Sequence, residues 1–167
     1  YGENPHQHAA FYKTADTRIG AAQSQKLHGK ELSYNNINDS DAAFELISEF
    51  ELPAIAIIKH ANPCGVSENL NINLAWENEV IIAPTVTDEA LKIFADKPNV
   101  RILKSGKIPN PMDNGFSMKS ISGGMLVQTR DNHILKKEDL KVVTKKLPNE
   151  DQINDLLFAW KVAKHTK

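Results

Sequence analysis

The sequence predicts a layered α/β or α+β domain with a substantially parallel sheet. Two observations carry that reading. Short apolar runs bounded by turn signals suit buried strands, and segments with helical periodicity lie between them. A third sets the scale: 167 residues, 41% apolar and 25% charged, suffice for one ordinary domain with a real core.

The strand runs are 54–58 (AIAII), 80–83 (VIIA), 100–103 (VRIL), 124–128 (GMLVQ) and 140–144 (LKVVT). The first is apolar without a break and predicts a strand buried on both faces. In NDSDAAFELISEF an Asp or Ser can cap, and Ala43, Phe44, Ile47 and Phe50 recur at helical spacing. In TVTDEALKIFADKPNV the predicted N-cap is Thr87. Ala90, Leu91 and Phe94 form the apolar face, and Pro98 ends the helix. Near the C-terminus, Asn149 with Gln152 resembles a capping box ahead of the stripe Ile153, Leu156, Leu157 and Trp160. Acidic residues lie early in that helix and lysines late, as its dipole favours. Residues 104–120 lack periodicity and read as a surface loop.

The formal net charge of -1 argues against a broad nucleic-acid or membrane surface, though not against a local phosphate site. One cysteine excludes an internal disulfide and any multi-cysteine metal site. No apolar run approaches the roughly 20 residues of a membrane helix, and no signal peptide is evident, so the expected compartment is the cytoplasm. The chain starts at Tyr1 inside a dense polar motif and stops inside a helical pattern, which predicts a piece of a longer polypeptide.

Chemistry concentrates where AIAII turns into Lys59-His60 and then Asn62-Pro63-Cys64-Gly65, which reads as a turn. In open parallel sheets ligands bind beyond the carboxyl ends of the strands, so this pair is expected to face a crevice. A nearby ammonium disfavours imidazolium, which leaves His60 able to accept a proton. Lys59 can stabilise negative charge on a substrate oxygen. The competing reading is a solvated Lys and a His bonded to the following turn. YGENPHQ (1–7) suits either a ligand-contacting loop or a packed terminal one. Asn35, Asn36, Asn38 and Asp39 precede the first helical pattern and can cap, form turns or reach a ligand. The paired glycines of SISGGML read better as a tight turn entering a strand than as a phosphate nest. Asn62-Pro63-Cys64 invites comparison with the Pro-Cys-x-x-Cys signature of zinc deaminases. Position 67 is Ser, however, and the His-x-Glu partner is missing.

Taken together, YGENPHQ, LSYNNINDSDAA, IIKHANPCG, EVIIAP, SISGGMLVQTRD, VVTKKLP and DLLFAWKVAKHTK resemble, in order, the transformylase portion of the bifunctional PurH family, AICAR transformylase/IMP cyclohydrolase. The resemblance spans nearly the whole chain. It implies residues 1–167 as the first, incomplete cytidine-deaminase-like subdomain, a layered α/β sheet with flanking helices and no zinc. The IMP cyclohydrolase domain and the second transformylase subdomain would be absent. It implies de novo purine biosynthesis by formyl transfer from the co-substrate 10-formyltetrahydrofolate to the 5-amino group of AICAR, with no metal needed. His60 would be the general base and Lys59 its transition-state-stabilising neighbour. Tyr1, Asn36 and Glu79 would contact substrate. A cytoplasmic homodimer sharing its active sites is the expected assembly, with neither nucleic acid nor membrane as partner. The alternative is a degenerate nucleotide-binding module without catalysis. The family pattern also carries on the order of forty residues, with an SAFGG strand, between the positions of Asn78 and Glu79. Their loss would remove a whole crossover unit.

Overall fold

A computed structural model describes residues 2–4, 6–15, 18–68 and 80–166. They divide into two units, residues 1–109 with 161–167 and residues 110–160.

In the first unit, β1 (Gln25–His28) ends at Gly29, whose φ of +88 is left-handed. A Cβ there would fall 2.3 Å from the Val100 carbonyl oxygen, so only glycine fits this approach. Ser33 then caps α1 (Tyr34–Ile47) in a reciprocal box: Asn36 N donates to Ser33 Oγ at 3.2 Å, and Ser33 N donates to Asn36 Oδ1 at 3.0 Å. The helix therefore starts before the NDSDAAFELISEF pattern. The asparagines expected ahead of it lie in its first turns.

β2 (Ala54–Lys59) and β3 (Asn62–Glu68) form an antiparallel two-stranded sheet. β4 (Val80–Ala83) precedes α2 (Asp88–Phe94), where Ala90 N donates to the Thr87 cap at 3.2 Å, as the sequence predicts. β5 (Arg101–Lys104) is the centre of a second sheet ordered β1-β5-β4, antiparallel to β1 and parallel to β4. α1 packs on β2 and β4. The core comprises Phe44 and Leu46 of α1, Ile102 and Leu103 of β5, and Ala21, Phe50, Ala61 and Phe94.

The C-terminal end of α1 is fastened electrostatically. Glu49 accepts from Lys164 Nζ at 2.7 Å and meets His165 Nε2 at 3.2 Å, with Lys161 lying over the Phe50 ring. Burial alone would raise the Glu49 pKa, yet the hydrogen bonds from His165 and Lys164 hold it below its ordinary value.

The second unit holds the antiparallel hairpin β6 (Phe116–Ile121) and β7 (Gly124–Thr129), and α3 (Glu150–Lys164), whose last turn enters the first unit. Gly123, at φ +76, makes the β6–β7 turn, so the paired glycines are indeed a turn entering a strand. The Asn149–Gln152 capping box forms as predicted, with reciprocal bonds of 2.8 and 3.0 Å.

Four expectations are corrected. Among the described residues the parallel sheet reduces to one pair, β4–β5, because β2 pairs with β3 instead of a parallel neighbour. β2 is consequently half-buried, and the strand withdrawn on both faces is β5, flanked on both sides. Residues 104–120 include all of β6 but its last residue, since Phe116, Met118 and Ser120 find partners across the hairpin. Residues 140–144 are not a strand: nothing pairs with them, and Val142 and Val143 stand in solvent. Among the described residues no helix is long and apolar enough to cross a membrane.

Candidate active site

β2 ends at Lys59, which pairs with Asn62 of β3, so His60 and Ala61 alone form the hairpin loop. Both have positive φ, 52 and 58 respectively. A two-residue turn of this kind demands that geometry and usually takes it from Asn-Gly. Here a histidine and an alanine accept it, at a cost of about 1–2 kcal/mol each. Asn62 Nδ2 donates to His60 O at 3.0 Å, and the Ala61 N–H donates to Asp39 Oδ1 at 2.7 Å. The predicted turn at Asn62–Gly65 is thus displaced by two residues. That segment is instead a strand, with the ladder slipping between Ile57 and Ile58 so that Cys64 is left over in a bulge. Lys59 and His60 are both exposed.

Asp39 joins this turn to α1, and other sequence-selected residues gather on the same part of that helix. Asn36 lies one turn earlier, buried, its Oδ1 engaged by Ser33 N. Asn35 Nδ2 donates to Glu3 O at 3.1 Å, which brings the YGENPHQ loop to the first turn of α1. That loop is closed on itself by the Gly2 N–H donating to Gln7 O at 2.8 Å. Ser40, one turn beyond Asn36 on its face, is buried, and its Oγ has no hydrogen-bond partner among the described residues. Tyr1 and Glu79 lie outside the described residues. In the sequence Asp39 reads as one more capping or turn residue beside the asparagines, and nothing local marks it as the acceptor for a turn 22 residues away.

A cavity of about 720 Å³ opens against Tyr34, Ile37, Asn38 and Asp41, and neither Lys59 nor His60 lines it. Those four recur at helical spacing, and Asn35 and Asp39 project from a different side of α1. β2 lies outside the parallel pair, so the rule that ligands bind beyond the carboxyl ends of parallel strands does not by itself place Lys59 and His60.

Comparison with known proteins bears on what this geometry serves. The model of a family described as the AICARFT/IMPCHase bienzyme matches residues 1–79 and 78–167, which together cover the chain. The chain belongs to that family. Among its relatives are proteins named bifunctional purine biosynthesis protein PurH from Ruegeria sp. (50% identical), Paracoccus denitrificans (48%) and Sinorhizobium medicae (46%). In each, the match takes in 100% of this chain but 38% of the relative. The chain thus spans well under half the length of these PurH proteins. Each match extends over 203 positions, whereas the chain has 167 residues, so 36 positions have no counterpart here. The two matched pieces of the family model meet at residues 78 and 79, the junction where the resemblance expects a missing crossover.

Proposed function

We propose that this chain is the first part of an AICAR transformylase, whose parent protein transfers the formyl group of 10-formyltetrahydrofolate to the 5-amino group of AICAR and also cyclises the product to IMP. The carrying observation is the Lys59-His60 pair, displayed at a two-residue turn with both central residues at positive φ and tied to α1 through Asp39. Membership of the AICARFT/IMPCHase family supports the reading.

The chemistry explains the pair. The AICAR amine is conjugated with its ring and carboxamide and is a poor nucleophile. As its nitrogen attacks the formyl carbon, His60 Nδ1 or Nε2 accepts the amine proton. Lys59 stabilises the tetrahedral oxyanion. The bond from the formyl carbon to the folate nitrogen then breaks, and tetrahydrofolate departs as that nitrogen gains a proton. Tyr1, Asn36 and Glu79 hold AICAR. The unpartnered Ser40 hydroxyl beside Asn36 supports a polar ligand on that face of α1. A cytidine-deaminase-like layering, completed by a crossover between residues 78 and 79, would set β2 in a continuous sheet. The remainder of the parent would supply the cyclohydrolase domain, the second transformylase subdomain and a cytoplasmic homodimer that shares its sites.

The test is His60→Ala in the full-length parent. Formyl transfer is expected to fall at least about 100-fold, while AICAR affinity measured by calorimetry falls only modestly. Unchanged turnover would overturn the reading. Loss of AICAR binding with no turnover in either form would favour a nucleotide-binding module. The 167-residue chain alone is expected to show no formyl transfer.

A further inference from the structure

We propose that Asp39 is a positioning residue for His60: its carboxylate holds the strained turn, and through it α1 sets where the base stands relative to substrate. The inference rests on the reaction proposed for Lys59 and His60, and it adds a residue that acts through another.

The β2–β3 ladder closes at the Lys59–Asn62 pair, so it supplies no partner for the amide that joins His60 to Ala61. Ala61 is only 4% exposed, and a buried N–H without an acceptor is costly. Asp39 Oδ1 accepts from that N–H at 2.7 Å, and Asn62 Nδ2 donates to the oxygen of the same peptide unit, His60 O, at 3.0 Å. The unit is thus gripped at both ends. Because it is planar, its orientation fixes ψ of His60 and φ of Ala61 together. The φ values of 52 and 58 are ones that neither a histidine nor an alanine favours by itself. His60 is exposed, so its placement depends on the backbone beneath it more than on packing around its ring. Asn62 belongs to the same hairpin and travels with the turn, whereas Asp39 anchors it from 22 residues away. A carboxylate accepting from a backbone N–H makes a shorter and stronger bond than a neutral acceptor, which suits it to hold strained backbone.

The anchor stands on an element that also carries a substrate contact. Asn36, which holds AICAR in the proposed reaction, precedes Asp39 by three residues and is its neighbour on α1. Ser33 N fixes Asn36 Oδ1 at 3.0 Å. One helix therefore spans from the substrate contact to the turn that bears the base, and sets their separation.

Formyl transfer by the full-length parent tests this in Asp39→Asn, Asp39→Glu, His60→Ala and the Asp39→Glu/His60→Ala double variant, with circular dichroism to show that each is folded. Asp39→Asn keeps an acceptor oxygen in place and should stay within about threefold of the parent kcat. Asp39→Glu keeps the charge but displaces the oxygen, and should lower kcat about 10- to 100-fold with KM for AICAR within about twofold. In the His60→Ala background Asp39→Glu should cost nothing further, since no base is left to position. An unchanged kcat in Asp39→Glu would overturn the proposal. So would an impaired Asp39→Asn beside an intact Asp39→Glu, which would mean that the charge itself acts on the site. A rise in KM alone would make Asp39 a substrate contact, and an equal loss in both backgrounds would make it a support of the fold; either result overturns the positioning role. If His60→Ala leaves turnover unchanged, the reaction assigned to the turn fails; if His60→Ala abolishes turnover and Asp39→Glu does not lower it, only the role of Asp39 fails.

Discussion

In residues 1–109 with 161–167, Phe44, Leu46, Ile102 and Leu103 are withdrawn from solvent almost completely, whereas in residues 110–160 Phe116, Met118 and Met125 each keep more than half their surface exposed. Local order does not account for the difference. The Asn149–Gln152 box of α3 is as complete as the Ser33–Asn36 box of α1, and the β6–β7 ladder runs without a slip while β2–β3 contains one. What the second unit lacks is a second layer. Phe116, Met118, Met125 and Val127 share one face of the hairpin by register, and that face is exposed. Leu156 and Trp160 of α3 are exposed as well. Capping and pairing form elements, but only an opposing apolar face makes a core.

The sharpest way to break this contrast is to truncate a large apolar side chain in each unit. Phe44→Ala should cost about 3–5 kcal/mol in denaturant unfolding. Met118→Ala should fall within about 0.5 kcal/mol of the parent. Equal costs would mean that the hairpin face is covered in solution.

The Glu49 cluster is the next largest effect expected. Lys164→Ala should remove roughly 1–3 kcal/mol. The pH dependence has a definite sign. Because the folded-state pKa of Glu49 lies below its ordinary value of 4.5, its contribution is complete above that pH and is lost as pH falls through the lower folded value. Acid titration of unfolding in the parent and in Lys164→Ala should converge in that range. A gap that persists at low pH would assign the loss to packing.

The smallest effect belongs to the strained turn. Ala61→Gly relieves left-handed backbone but frees the unfolded chain, so the net change should lie between zero and about 1.5 kcal/mol of stabilisation. Ala61→Val should cost at least about 1 kcal/mol, since a branched side chain resists positive φ. Identical stabilities for Gly and Val would show that residue 61 does not hold this geometry in solution.

Much of the fold was legible from neighbouring residues. Thr87 and Asn149 cap as expected, the paired glycines turn between strands, AIAII, VIIA and GMLVQ are strands or parts of strands, and VRIL is one from Arg101 on. β1 and β3 escaped because QKLH and NPCGVSE carry no apolar run and take their form from the partners they find. Residues 140–144 misled for the converse reason, being apolar without a partner. Of the candidate site, adjacency alone marked Lys59 and His60. The positive φ values at His60 and Ala61 left no such trace, since neither residue is a turn former.

Neighbouring residues settle the events confined to three or four positions: helix caps, the glycine turn and the two periodicities that distinguish strands from helices. Long-range packing settles that β2 pairs with β3 across a His-Ala turn, that β5 takes the centre of its sheet, and that Asp39 and Ala61 meet across 22 residues. Local interactions are encoded where they act. Which apolar faces cover one another is a competition among all the faces the chain presents, and no single segment contains its outcome.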